Sequence, residues 1–358
     1  MSRLVTATID TAALQHNLQQ VRKQLSADVR VVAVIKADGY GHGLVTVAHA
    51  LYQAELYAVG CLDEAAQLRK ASIEKPILLL EGFEGREELQ AIAQLQLQTV
   101  IHSEQQWQLL NTTILPQPIT IWLKVDTGMH RLGFTPQRAE QLLPLLEGHP
   151  SVEQVVLISH FANADHIEHP LNQRQQQAFS HCCAQSSSAR SFSNSAALLT
   201  RSAAHFQFVR PGIMLYGSSP LQGQSAASLG LKPALTLQAP LIAIQTIEPG
   251  AAVGYGSSWQ AQRETRLGVV AIGYGHGYPR RLPSGTPVLI RGQRVPLAGR
   301  VSMDMMTVDL TALPEAIVGD LVTLWGEGLP VDEIAQQAST ISYELLCQLT
   351  SRVERIAQ

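Results

Sequence analysis

A chain of 358 residues, 46% hydrophobic and 15% charged, has the composition of a compact globular protein and is too apolar for a disordered one. Its net charge of −3 gives no basic footprint for nucleic acid or an acidic membrane surface. At about 150 residues per domain the length suits two domains, and no run approaches the roughly 18 apolar residues that cross a bilayer.

In chain order, a strand is expected over residues 4–9, then a helix capped by Asp10 with Leu14, Leu18, Val21 and Leu25 on one face. Short apolar runs follow at 31–35 (VVAVI), 56–59, 77–80, 98–101, 119–125, 155–161, 190–194 and 206–210, the last two the least regular. Between them lie amphipathic stretches of helical length, clearest at 63–71, 85–95, 103–110, 135–146 and 171–186. Continuous apolar runs separated by helices are the pattern of strands buried on both faces. About eight such units in about 200 residues is the size of a (β/α)8 barrel, with an open doubly wound sheet as the alternative.

Beyond residue 216 the texture changes. Residues 217–233 are rich in Gly, Ser and Pro and read as a linker. Segments 267–272, 287–297 (a hairpin turning near 291–294), 305–310 and 320–325 read as antiparallel β-structure, and 331–338 and 343–349 as short helices. The expected architecture is α/β: an N-terminal TIM-type barrel over 1–230 and a C-terminal, mostly antiparallel β domain over 231–358, which a short N-terminal segment joins. Cys61, Cys182, Cys183 and Cys347 show no CxxC or zinc spacing. Free thiols in a reducing cytoplasm are expected, and residues 1–10 lack the apolar core of a signal peptide. The pentapeptide GYGHG occurs at 39–43 and 273–277 in different surroundings and is treated as coincidence.

Barrel active sites collect at the C-terminal ends of the strands. Those ends carry Lys36, the 124–131 segment, His160, Asn194, Ser195 and Arg210, which together suggest a polar, anion-binding mouth. Lys36 follows five apolar residues and precedes the glycine-rich ADGYGHG. A dry strand end favours the free amine that Schiff-base chemistry needs, and a lysine snorkelling from the rim is the alternative. His160, Asp165, His166, Glu168 and His169 prompt a metal-dependent hydrolase as a rival reading. The last four fall in a polar loop before Pro170 and read as a solvated turn, so no metal is expected.

Residues 36–43, KADGYGHG, resemble the pyridoxal-phosphate attachment motif of the alanine racemase family, although Gly39 stands where that motif usually has Ala. KVDTGMHRLG (124–133), SHFANAD (159–165), SNSA (193–196), VRPGIMLYG (209–217), VGYGSSW (253–259), GYGHGYPR (273–280) and GRVSMDM (299–305) also resemble family motifs, in family order.

The resemblance implies a cytoplasmic homodimeric isomerase of the pyridoxal-phosphate class. It would interconvert L-alanine and D-alanine, a peptidoglycan precursor, by two-base proton transfer on the external aldimine of pyridoxal 5'-phosphate. Lys36 would carry the cofactor and serve as one base. Tyr255, from the partner subunit, would be the other. Racemisation needs a base on each face of Cα, and a lone phenol is a weak one at neutral pH, so cations from Arg131, His160 and Arg210 would assist. Arg210 would face the pyridine nitrogen; Tyr40, Ser195, Gly212 and Ile213 would hold the phosphate, with Asn194 and His160 beside the cofactor. Arg131 and the Met303 backbone would hold the substrate carboxylate, Tyr274 and Asp304 would line the entrance, and Lys124 matches a lysine often carried as a carbamate. His276 replaces a usual Asp and Ser351 a frequent Tyr, which opens a broader small-amino-acid (serine) racemase as an alternative. A basic-amino-acid decarboxylase would need other residues at 210 and 255, and single-barrel pyridoxal-phosphate-binding proteins lack the second domain.

Overall fold

The computed structural model describes residues 5–358; Leu4, expected in the first strand, lies outside them. After β1 (Thr6–Ile9) and α1 (Thr11–Arg22), the apolar runs form β2 (Arg30–Val34), β3 (Leu56–Val59), β4 (Ile77–Leu79), β5 (Gln98–Ile101), β6 (Ile119–Lys124), β7 (Val152–Ile158), β8 (Ala189–Asn194) and β9 (Phe208–Arg210). These eight close into a barrel, β2 meeting β9 in parallel through Arg30–Phe208 and Val31–Val209. Every residue of β3, β4 and β6 is buried, as strands covered on one face by helices and on the other by the barrel interior must be.

The helices of the barrel ring are α2 (Leu44–Ala50), α3 (Leu62–Lys70), α4 (Arg86–Gln94), α5 (Glu104–Thr112), α6 (Pro136–Glu147), α7 (Pro170–His181) and α8 (Ser195–Thr200). α7 stops five residues short of the expected end. Cys183 turns left-handed at φ 54°, and Arg190 of β8 takes over the open carbonyls of Phe179 at 2.8 Å and Cys183 at 2.7 Å. α1 begins as expected, Asp10 accepting from the Ala13 amide at 2.8 Å. Its buried Asn17 donates to the carbonyls of Leu215 and Lys232 and so ties down the Gly- and Ser-rich segment after the barrel.

The remaining elements are β10 (Leu235–Ile247), β11 (Ala252–Val253), β12 (Trp259–Gln260), β13 (Thr265–Val270), β14 (Pro287–Ile290), β15 (Gln293–Pro296), β16 (Met306–Asp309), β17 (Leu321–Trp325), α9 (Val331–Gln337), α10 (Ser342–Cys347) and β18 (Glu354–Ala357). Their strands build a sheet in the order β15-β14-β17-β10-β1-β18, with β13 and β16 running off β10, while β11 and β12 pair separately. A register break between Leu241 and Ala243 lets β10 pair with β1 and β17 along its first half and with β13 along its second. All these pairs are antiparallel except β1 with β18, so both chain termini share one sheet.

Gly217 and Gly223 both take positive φ, 81° and 73°. A Cβ on Gly217 would collide with the Lys232 carbonyl, whereas nothing lies within 4 Å at Gly223. Gly223→Ala is therefore expected to cost only left-handed strain, about 1–2 kcal/mol, and Gly217→Ala clearly more. Thermal unfolding of the two variants checks that order.

Candidate active site at the barrel mouth

β2 runs through Ile35 into Lys36 and then into a left-handed turn. Ala37, Asp38, Gly39 and Tyr40 have φ of 53°, 54°, 61° and 51°, a backbone that costs an L residue roughly 1–2 kcal/mol. The turn is tied internally, Gly39 N donating to Ile35 O at 2.8 Å and Gly41 N to Ala37 O at 2.9 Å. Asp38 accepts from the Leu44 amide at 2.8 Å. From the C-terminal sheet, Arg355 Nε donates to Gly41 O at 2.7 Å, and a Cβ at Gly41 would strike the Leu346 carbonyl. Residues 31–35 are buried as expected. The Lys36 side chain is nevertheless 41% exposed, its Nζ 4.0 Å from Glu81, because the turn carries it outward. The dry setting expected of Lys36 is not what the single chain offers.

Tyr40 is turned inward, stacked on Tyr216 with ring centroids 4.6 Å apart. Burial pushes its phenol well above the usual range, so it stays a protonated donor. A Cβ on Gly212 would stand 2.6 Å from the Tyr40 hydroxyl, a close approach that only glycine permits. The Gly212 amide donates to Ser195 Oγ at 2.8 Å, and Ile213 opens the tight turn that follows. Asn194, not Ser195, caps α8, accepting from the Ala197 amide at 3.0 Å. Two hydroxyls and the Gly212 amide thus meet where three strand ends converge.

Arg210, ending β9, is 4% exposed. It donates to Ser191 Oγ and Ser159 O, both at 2.6 Å, and to His160 Nδ1 at 3.3 Å. Among the described residues no carboxylate pairs with it. Burial lowers its pKa to about 9, which leaves it cationic at neutral pH. His160 is driven well below its ordinary value by burial and then by Arg210, Lys124, Arg131 and Lys36. It is therefore neutral, and accepting at Nδ1 leaves its proton on Nε2. Lys124, buried at the end of β6, is lowered to about 7 by burial and then by Arg210 and Arg131, with Asp126 opposing. Asp126 is committed to the loop that presents the exposed Arg131, accepting from the amides of Gly128 (2.9 Å), Met129 (3.1 Å) and His130 (3.1 Å). Arg210 thus touches this neutral imidazole, and Lys124, Arg131 and Lys36 act on it from further off.

Tyr255, Tyr274, Met303 and Asp304 lie in turns and a loop between the strands of the C-terminal part of the chain. Tyr255 is 68% exposed and Met303 53%, and Tyr255 borders a cavity of ≈ 450 Å³ with Arg300, Ser302 and Met305. Tyr274 N donates to Ser302 O at 3.0 Å, and Asp304 pairs with Arg352 at 2.6 Å. Among the described residues no hydrogen bond or ion pair joins these four to the barrel-mouth group. His160, Asp165, His166, Glu168 and His169 do not converge either. Among the described residues no three His, Cys, Asp or Glu side chains are arranged to hold a metal, and His169 instead caps α7, accepting from the Leu171 amide at 3.2 Å. Ser159, Ser191 and Arg355, which hold Arg210 and the lysine turn, escaped sequence reasoning. Ser191 gives the one available signal, a hydroxyl inside a buried strand.

Residues 9–220 match the family model described as alanine racemase, N-terminal domain, and residues 234–357 the one described as alanine racemase, C-terminal domain. The chain belongs to the alanine racemase family. It is 49% identical to an alanine racemase of Nitrosococcus oceani over 98% of each chain, and 48% identical to the biosynthetic alanine racemase of Pseudomonas aeruginosa over 99% of each. The crystal structure of that biosynthetic enzyme superposes with a TM-score of 0.97 over all of both chains. The crystal structure of alanine racemase from Bartonella henselae with covalently bound pyridoxal phosphate superposes at 0.88, with 30% identity and full coverage of both chains. Alanine racemase activity, an isomerase reaction, comes with identity of this degree over the full length.

Against the family pattern, Gly39 sits inside the left-handed turn, where a side chain would press on Val47. His276 is buried and accepts from the Gly273 amide at 3.4 Å. Its pKa is lowered by burial first and then by Arg352. A neutral cap therefore stands where a carboxylate is usual. His160 is expected to remain neutral in imidazole NMR spectra from about pH 8 to about pH 6, where an unperturbed histidine titrates. A midpoint at or above the ordinary value would mean that neither burial nor the neighbouring cations act on it.

Proposed function

We propose that this racemase works with pyridoxal 5'-phosphate as a homodimer with shared active sites, most simply in the cytoplasm, supplying D-alanine as a peptidoglycan precursor. The observation that carries the cofactor assignment is the cradle at Gly212. A Cβ there would fill the space beside the Tyr40 hydroxyl, and the Ser195 hydroxyl and Gly212 amide are already turned toward each other. These groups, with the Ile213 amide, suit a phosphate. Arg210, buried with only neutral partners, suits the ring nitrogen, and Asn194 and His160 border the same space. Lys36 would attach the group. When bound, pyridoxal phosphate draws into its ring the negative charge left on Cα by proton removal.

This chain's own residues then handle protons and the carboxylate. Lys36 removes or returns the α-proton on one face, and Tyr255 of the partner subunit does so on the other. The exposed Tyr255, Tyr274, Met303 and Met305 make the kind of patch that a partner covers. Arg131 grips the substrate carboxylate with the Met303 amide, while Tyr274 and Asp304 line its approach. Arg210 keeps its proton and so withholds one from the ring, which favours return of the α-proton over side reactions. Ser351, exposed where relatives of this family often carry tyrosine, supports serine as a second substrate.

Purified protein reconstituted with pyridoxal phosphate should racemise alanine. Lys36→Ala and Tyr255→Phe chains should each be inactive, and mixing them under subunit exchange should restore one working site per mixed dimer. Absence of recovery despite proven exchange would count against shared sites. Lys124, with an amine near 7, is neutral enough above that pH to add carbon dioxide, and we propose its carbamate as the anion that holds Arg131. Carbon-13 bicarbonate should then give a carbamate resonance that Lys124→Ala removes and that fades as pH falls below about 7. Activity without such a resonance would exclude the modification.

A further inference from the structure

Cys182 and Cys183 follow α7 at the foot of β8, the end of that strand opposite Asn194 and the barrel mouth. Neighbouring side chains in a chain commonly diverge, yet these two sulfurs stand 3.6 Å apart, in hydrogen-bond contact. The arrangement is held from outside the pair. Arg190 donates to the Cys183 carbonyl at 2.7 Å, Cys183 is left-handed at φ 54°, and Cys182 Sγ donates to Pro136 O at 3.6 Å. Both side chains are buried, at 2% and 8% exposed, beneath a turn whose Ala184 and Gln185 lie at the surface.

Three chemistries could use such a pair, and the geometry separates them. A disulfide would have to close across one peptide unit, whose Cα atoms are about 3.8 Å apart, below the about 4.4–6.8 Å that bridges span. A divalent soft metal matches the sulfur spacing, since two thiolates at about 2.3 Å on a tetrahedral ion stand about 3.8 Å apart. It needs further ligands, however, and among the described residues no third His, Cys, Asp or Glu completes a metal group. A centre satisfied by two sulfurs and an organic substituent needs nothing more.

We propose that Cys182 and Cys183 form a two-thiol capture site for a monosubstituted trivalent arsenical, a thiophilic three-coordinate electrophile. Each thiol displaces one hydroxyl from arsenic. Two arsenic–oxygen bonds break, two arsenic–sulfur bonds form, the thiol protons leave in two waters, and nothing is oxidised or reduced. Contact with the Cys182 sulfur holds the Cys183 thiol below its ordinary pKa, which makes Cys183 the first attacker. The site lies at the base of the barrel, so turnover at the mouth continues.

Phenylarsine oxide titrated into the full-length, cofactor-loaded protein tests this by intact mass, thiol count and peptide mapping. One phenylarsenic group per chain is expected, with two of the four thiols lost and racemisation retained. The adduct should survive 2-mercaptoethanol and be released by 2,3-dimercaptopropanol. Cys182→Ser and Cys183→Ser should each abolish it, and Cys61→Ser and Cys347→Ser should leave it intact. Mapping on the unaltered protein decides the matter if either serine variant fails to fold. No adduct, an adduct removed by the monothiol, or one mapped to Cys61 or Cys347 would overturn the proposal.

Discussion

Four consecutive residues of left-handed backbone after Lys36 are the constraint on which the site is built. The turn sends Lys36 outward to the mouth and, four residues later, sends Tyr40 inward against Tyr216. A right-handed continuation would put both side chains elsewhere. The strain is offset by bonds within the turn, by Glu64 and Asp38 on the barrel side, and by Arg355 reaching in from β18. The C-terminal sheet is thus a structural partner of the lysine turn in the same chain, independently of what it offers to a second subunit. Because β18 pairs with β1, the last residues of the chain help set the geometry of residues 36–43.

The second organising feature is a positive mouth with Asp126 engaged elsewhere and the exposed Glu81 set against Lys36 alone. Asp126 is spent on three backbone amides and the His130 ring, Arg210 among the described residues bonds to one hydroxyl, two carbonyls and an imidazole, and His160 is kept neutral by burial first and then by its cationic neighbours. A buried cation with neutral partners, as Arg210 is, is costly, so this mouth is best explained by anions supplied from outside. A phosphate, a carboxylate and a carbamate would each answer part of that excess.

Much of this was legible in the sequence. The barrel strands announce themselves because burial on both faces demands unbroken apolar runs, and the mouth residues follow from the ends of those runs. The end of α7 was not legible, since Arg190 terminates it from the next strand and leaves no mark within the helix. β10 was obscured by Pro240 and by the Gly- and Ser-rich stretch before it, and β18 (ERIA) is too polar and short to stand out. Glycines marked 36–43 as a turn, but nothing local told of Ala37 and Asp38 adopting left-handed φ. Tyr255 lay beyond physical reading altogether. Its role rests on family resemblance, because the side chain meets nothing in its own chain that would reveal a base.

In the proposed reaction two different groups serve the two faces of the α-carbon. Racemisation of L-alanine in deuterium oxide, with the D-alanine product analysed after the first turnovers, tests it most directly. Two bases predict a product carrying solvent deuterium at Cα, because the proton taken by one base is not the one delivered by the other. D-alanine that keeps the substrate's own hydrogen would show one group serving both faces and would rule out a separate base on each.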